Sequence, residues 1–429
     1  MAAGAVTLLF VAAAAFAPDV DNSWLGMSGQ AAAPSIVLTV AVFALFVASP
    51  KRDLEGNTCA RLLTVVAGTL LVYCARDMPV VFCGWLVSSL PLLVKFGNTD
   101  GAGSLKFSAV RPVVMLLVSC GLLGIAVIIL SIAGDAGLGS GDGYLRNAAL
   151  ASALAAALIR SGVFPFHSWA VNSLAEDSSA VSLSLAIGMP GAFLIARLAG
   201  QALGNVAVTF LPLVGDLALI STVLISLAAL AERNPRRLLA LVVTSQSGFI
   251  IGGLALHNVQ GISGALLHWV VVGVSTPGLV LVLRGLEARC GTATRVSLAG
   301  LGSRAPRLAA FFIMLSLALV GLPGTLGFCA EDLLFHGALE THPLLGFALP
   351  IATALNAIHL FRLFSNLFFG LPTRHVPAIC DCLPRERWIL SAMVLFLVGT
   401  GLMPNQIVQW RVASAQAIAR VAANASSTP

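Results

Sequence analysis

"LIRSGVFPFHSW", residues 158–169, follows the apolar run "NAALASALAAA" at 147–157. It places a permanent cation (Arg160), a helix breaker (Pro165) and a histidine (His167) in a stretch otherwise suited to lipid. Proline removes a backbone donor and clashes with the preceding turn. Backbone broken in this way survives in a bilayer only where protein buries it or it lines a wet cavity. The stretch therefore predicts a membrane helix interrupted beside a buried charge.

The rest of the chain agrees. Of 429 residues, 58% are hydrophobic and 10% charged, and mean hydropathy is +0.96. A soluble domain carries about a quarter charged residues. Repeated apolar runs of roughly 17–25 residues match the hydrocarbon core of a bilayer. The net charge of +6 sits mostly in short loops, the pattern of loops facing the cytoplasm rather than of a nucleic-acid binder. Eight scattered cysteines read as reduced packing residues. His375, Cys380 and Cys382 in "HVPAICDC" are metal-ligand types, but an unliganded loop is the commoner outcome, and no metal is expected. The N-terminal "AAGAVTLLFVAAAAFA" lacks a basic leader and reads as a first span, not a cleaved signal.

About thirteen spans are expected, near 2–17, 31–49, 61–75, 78–96, 109–134, 147–163, 179–200, 205–231, 238–257, 262–284, 308–328, 344–370 and 388–411. Lipid leaves no partner for open backbone groups, so these are helices. The basic loops "KRDLEGNTCAR", that around Lys95 and Lys106, "ERNPRR", Arg284–Arg307 and "RHVPAICDCLPRER" follow spans two, four, eight, ten and twelve. All fall on one side, with the N-terminus in the cytoplasm and the C-terminus outside.

A second break lies in "LALVGLPGTLGFCAEDLLF", 317–335, at Pro323-Gly324. Paired broken helices in two halves of a chain point to an ion path between repeats. The expected division is 1–60 for the N-terminal helices, 61–204 for a first half broken at Pro165, 205–370 for a second half broken at Pro323, and 371–429 for a loop, last helix and tail.

Ionisable groups at depth are functional candidates. Arg160 and His167 flank the first break, and Glu331 and Asp332 the second. His268 sits in span ten, and His359 with Arg362 in span twelve. Each has a plainer reading. Arg160 could snorkel from a helix end, the two acids could complement a helix N-terminus, and His268 could be a hydrogen-bonded core histidine. Arg197 reads as a helix end and Asp216 as near an interface. The ion-path candidates are Arg160, His167, His268, Glu331 and Asp332; Pro165, Pro323 and Gly324 mark the breaks.

"RSGVFPFHSW" with "SSAVSLSL" and "GAFLIAR", then "NPRRLLALVVTSQSGF", "GALLHWVVVGVSTPGLVLVL", the 298–337 stretch containing "GLPGTLGF", and "DCLPRER", together resemble the antiporter-like membrane subunits of respiratory complex I. "GVSTPGL" and "GLPGTLGF" look most like its chain M (chain 4), and the resemblance covers about residues 61–411. It implies an all-α polytopic membrane protein, an inverted-repeat bundle with two broken helices. It also implies a line of buried charges carrying protons, driven by a redox module elsewhere in a larger assembly. Glu331 takes the position of the terminal Glu or Lys on the second broken helix, and Arg160 that of the central lysine on the first. Arginine keeps the charge but does not readily give up its proton. The family's Trp-Glu pair reads Trp85-Leu86 here, so the carboxylate that pairs with the lysine is gone. A family histidine falls on Ser184 or Leu185, and Val272 and Thr276 stand where some members have histidine and lysine. Glu176, Asp177 or a partner subunit is the expected counter-charge for Arg160.

The expectation is a non-catalytic membrane subunit of a complex I-like assembly, with a partly degenerate proton path. It needs no cofactor of its own. Its partners are other membrane subunits and the lipid bilayer, with no nucleic acid, in a bacterial inner membrane. The alternatives are a subunit of an inorganic-carbon uptake or cation/proton antiporter complex, or a non-conducting scaffold.

Overall fold

The computed structural model describes residues 25–26, 29–50, 54, 57–97, 107–132, 143–176, 180–200, 205–256, 258–290, 300–341, 343–370 and 380–426. The expected first span, 2–17, lies outside them, as do His375 and Asp177. In chain order the helices are α1 (Gly29–Ala48), α2 (Thr58–Cys74), α3 (Met78–Gly97), α4 (Phe107–Ile132), α5 (Gly143–Ser161), α6 (Ser168–Glu176), α7 (Ala180–Gly188) and α8 (Pro190–Gly200). They continue as α9 (Asn205–Ala228), α10 (Pro235–Leu254), α11 (Val259–Cys290), α12 (Pro306–Leu319), α13 (Leu326–Thr341), α14 (Pro343–Gly346), α15 (Ala348–Phe368), α16 (Pro384–Leu402) and α17 (Asn405–Ser426).

Burial sorts them. α10 and α11 are buried along almost their whole length, so they form the centre of the bundle. At 32 residues, α11 runs about 48 Å, longer than the hydrocarbon core. α4 turns Ile125, Ile128 and Ile132 outward, the apolar face a bilayer requires. Among the described residues seven helices are long and apolar enough to cross a membrane, while α2, α3 and α12 are shorter apolar helices. The expected count of thirteen is thus not reproduced as thirteen uniform spans.

One expected span needs correction. The stretch 388–411 is not one span: α16 ends at Leu402 and α17 leaves it at 81°. Met403 and Pro404 separate the two helices. The expected span 179–200 is present, as Val181–Ala199, with a kink between α7 and α8 where Pro190 follows Met189, a non-glycine residue at φ 40°. The carbonyls released there are taken up from neighbouring helices: Trp269 donates its indole N–H to Ile187 O at 3.1 Å, and the Tyr73 hydroxyl bonds Gly188 O.

Caps and ion pairs gather the basic segments at one end. Asn234 caps α10 by accepting from the Arg236 N–H at 3.0 Å, with Pro235 in the first turn. The Asp381 carboxylate accepts from the Arg307 and Leu308 N–H groups at 3.0 and 3.3 Å, capping α12 from a distant loop. Arg236 grips the fully buried Glu287 through two bonds of 2.6 and 2.8 Å, and Arg284 adds a third at 2.8 Å. Arg289 pairs with Glu386 at 2.5 Å. Three of the five basic loops therefore meet at one end of the bundle, the arrangement the loop charges predict. All eight cysteines are free. No cluster of metal-ligating side chains occurs among the described residues.

Candidate functional site

The two breaks share a construction. α5 stops at Ser161 and α6 starts at Ser168; α12 stops at Leu319 and α13 starts at Leu326. Gly162 and Gly321 take left-handed φ of 69° and 70°. The next amide reaches back five residues in each case: Val163 N to Leu158 O at 3.2 Å, Leu322 N to Leu317 O at 2.9 Å. This is the Schellman closure of a helix end, which favours glycine at the left-handed position. Pro165 and Pro323 then prevent the helix from resuming at once. At the first break Ser221 on α9 accepts from the Phe164 N–H at 2.7 Å. Trp169 donates to the Ile159 carbonyl at 2.6 Å. The "HSW" end of the opening stretch thus satisfies backbone that the break exposes. At the second break, Thr325 donates its hydroxyl to Leu322 O at 2.7 Å.

Arg160 lies within the first closure, two residues before Gly162, and is 4% exposed. One terminal nitrogen donates to Ser88 Oγ at 2.7 Å and the other to Ser89 Oγ. Both hydroxyls in turn donate to the Trp85 carbonyl, at 3.0 and 2.7 Å. The guanidinium carbon lies 5.3 Å from the Trp85 ring, and Trp85 donates to Ser119 at 3.2 Å. Among the described residues no carboxylate forms an ion pair with Arg160. On this helix hydroxyls meet the guanidinium. Leu86 is 36% exposed.

The second half is organised around α15. Its residues Thr353, Asn356, His359 and Arg362 recur every third position, a slowly winding stripe rising about 4.5 Å per step. The Glu331 carboxyl meets the Thr353 side chain and packs on Gly321, where a Cβ would come within 2.6 Å of its oxygen. Asn356 accepts from Ser226 and donates to Ser245, both at 3.0 Å. Gln246 contacts Ser245 at 3.5 Å and His268 Nε2 at 2.8 Å. His359 bonds the Ser226 carbonyl at 2.8 Å. Arg362 ends the stripe on the carbonyls of Ala229, Leu230 and Glu232 at 2.8, 2.8 and 3.0 Å, holding the C-terminal end of α9.

The sequence candidates therefore separate. Glu331 faces the interior, and His268 joins the buried chain through Gln246. Asp332 is exposed and sits 3.5 Å from exposed His336, one turn along. His167 is half-buried and stacked on Phe164 at 5.5 Å between ring centres. Arg197 is buried and holds the Ala75 and Arg76 carbonyls beyond the end of α2. Ser184 bonds within its own helix, to Val181 O at 2.7 Å. Sequence reasoning passed over Ser88, Ser89, Ser226, Ser245, Gln246 and Asn356. The three-residue spacing in "TALNAIHLFR", 353–362, was the available signal for the last of these. It also passed over Arg411 on α17, which is fully buried, stacks on Trp410 at 3.8 Å and finds no hydrogen-bond partner among the described residues.

A polytopic helical bundle, twice broken, with a buried guanidinium at one break and a carboxyl group at the other, is the class these features define. The model of the NADH:quinone oxidoreductase/Mrp antiporter transmembrane family matches residues 75–356, and the chain belongs to that family. It is 24% identical to NAD(P)H-quinone oxidoreductase chain 4 2 of Synechococcus sp. (strain JA-2-3B'a(2-13)), over 91% of this chain and 77% of that one. It is also 24% identical to chain 4 1 of Thermosynechococcus vestitus, over 94% and 80%. Among solved structures it resembles a chain of respiratory complex I from Thermus thermophilus with TM-score 0.86, 22% identity and coverage of 98% and 94%. It also resembles a chain of the Mrp complex from Dietzia sp. DQ12-45-1b with TM-score 0.80, 18% identity and coverage of 99% and 91%.

Proposed function

We propose that the chain is an ion-translocating membrane subunit of a complex I-like assembly whose two halves, 61–204 and 205–370, have diverged in role. The first half holds a fixed charge. The second holds the group that exchanges a proton. The observation that carries this reading is the contrast between the two breaks: a guanidinium held by Ser88 and Ser89 at one, a carboxyl against Gly321 and Thr353 at the other. Arginine keeps its proton in proteins, whereas a buried carboxyl can be tuned across the range useful for transfer.

Glu331 is the exchanging residue in this account. The stripe Thr353–Asn356–His359, with Ser226, Ser245, Gln246 and His268, supplies hydroxyls, amides and imidazoles between it and the basic end of the bundle. Those groups hold or relay protons without carrying fixed charge, which suits a path through a low-dielectric interior. The sidedness read from the loop charges puts the basic end in the cytoplasm of a bacterial inner membrane. Partner subunits supply the driving reaction. The equivalent closures at Gly162 and Gly321 support the assignment of the two halves as repeats.

The test is ion movement by the intact assembly with Glu331→Gln and Asp332→Asn. Glu331→Gln should lower ions moved per turnover, with assembly intact, and Asp332→Asn should leave them unchanged. Equal and negligible effects would reject conduction through Glu331 and make the chain a scaffold.

A further inference from the structure

Arg385 differs from its neighbours at the basic end of the bundle. Arg289 pairs with Glu386, and Arg236 and Arg284 pair with Glu287. Arg385, one residue before Glu386, makes no hydrogen bond or ion pair among the described residues. It lies in the first turn of α16, and Ile389, Ala392 and Phe396 follow it at spacings of four, three and four. Those spacings place all four on one face of the helix. The three apolar residues form one wall of a groove of about 260 Å³, closed by Val40 and Phe43 on α1 and by Val274 on α11. Among the described residues no polar side chain lines it.

The depth of the groove is informative. At about 1.5 Å per residue, Ile389 to Phe396 lie roughly 6 to 17 Å beyond Arg385 along α16. The α1 wall, from Ile36 to Ala44, lies roughly 6 to 18 Å from the end of that helix at Ala48. The hydrocarbon of one leaflet is about 15 Å deep, half of a core of about 30 Å. Trp388 is exposed on the same turn as Arg385 and marks the level of the headgroups, where indoles gather. A cation at the headgroup level thus stands over an apolar slot confined to one leaflet. A spanning helix of a partner runs through both leaflets and has no reason to meet a slot that ends halfway. Basic residues between helices on the cytoplasmic side suit the headgroups of anionic lipids.

We propose that the groove between α1 and α16 is a binding site for one anionic phospholipid of the leaflet at the basic end. One acyl chain fills the slot, and the phosphate accepts hydrogen bonds from the Arg385 guanidinium. The tail supplies affinity through apolar burial, and the arginine selects an acidic headgroup over a zwitterionic one. The inference does not depend on whether Glu331 exchanges protons, and its test involves no ion movement.

Phosphatidylglycerol is the probe. Added to the full-length chain in an uncharged detergent, it should raise the unfolding temperature saturably, and phosphatidylcholine at the same concentration should do so far less. Glycerol phosphate, which lacks the tails, should have no effect. In Arg385→Gln the half-maximal phosphatidylglycerol concentration should rise at least about tenfold, the effect of lost hydrogen bonds between charged partners. Arg233→Gln removes the same charge from an exposed loop and should leave that concentration unchanged. Ala392→Phe, which fills the slot and keeps the arginine, should abolish the effect. Phosphatidylglycerol carrying a photoreactive group in one acyl chain should label α1 or α16 in wild type and not in Ala392→Phe. Equal stabilisation by the two lipids, or by glycerol phosphate, would overturn the proposal, as would equal losses in Arg385→Gln and Arg233→Gln. Failure to label α1 or α16 in wild type would overturn it too, by showing that protein fills the groove, from residues 2–17 or another chain.

Discussion

Ser88 and Ser89 show how far one residue can redirect another. Arg160 could be picked out from sequence because a permanent cation inside an apolar run costs too much to be incidental. The loss of the acid at Leu86 could be picked out from the motif around Trp85. The serines could not, since "SS" within an apolar helix reads as small filler until the fold sets it opposite a guanidinium 71 and 72 positions away. Removing both hydroxyls leaves the terminal nitrogens buried without acceptors, a cost of about 1–3 kcal/mol for each unsatisfied group. Ser88→Ala combined with Ser89→Ala should therefore lower the unfolding midpoint of the solubilised chain markedly, and Arg160→Met in that background should recover part of the loss. If the serine pair is neutral, water or another acceptor holds the guanidinium. At Glu331 the sequence shows a carboxyl beside the second break but not its surroundings: Thr353 belongs to a helix whose polar positions lie among exposed Ile351, Ile358 and Phe361.

At the scale of elements, the breaks were readable because proline and glycine act locally. What closes them is tertiary and was not. Trp169 illustrates this: its place in "HSW" marks the motif, yet its role is to donate to Ile159 O across the break. Trp169→Phe keeps the ring and removes the donor. It should destabilise the α5–α6 junction by about 1–3 kcal/mol, the cost of one orphaned buried carbonyl, and raise amide exchange or proteolysis near Gly162 selectively. Uniform destabilisation of the whole chain would contradict a local role. The kink at Met189-Pro190 lies within a single span, whereas at the 81° bend before α17 Pro404 separates two helices in a region whose continuous hydropathy reads as one span. Hydropathy reports what lipid tolerates, not where a helix turns inside protein.

For the whole molecule, composition and loop charge were enough to give a polytopic bundle with one basic end. The ion pairs Arg236–Glu287 and Arg289–Glu386 draw together ends of α10, α11 and α16, and loop spacing alone did not foretell them. Sidedness follows from the positive-inside rule and has a direct check. Cys380 is exposed, in the segment leading to α16. Cys382, two residues on, is buried, and burial together with Glu386 and Asp381 pushes its thiol up to about 11. A membrane-impermeant maleimide near neutral pH should modify Cys380 from the cytoplasmic face and leave Cys382 untouched, since the thiolate is the reactive form. Labelling of Cys380 from the opposite face would invert the topology.

The division of labour between the halves is tested most directly by reconstituting the whole assembly and measuring ions moved per turnover for wild type, Arg160→Lys and Arg160→Ala. A fixed charge outside the proton path predicts that both variants, where they assemble, move as many ions per turnover as wild type, with losses confined to stability. Lysine there would still lack an acceptor at Leu86 and would add no pumping. If wild type and Arg160→Lys pump alike while Arg160→Ala assembles but no longer pumps, Arg160 belongs to a working path, and the account of the first half is wrong.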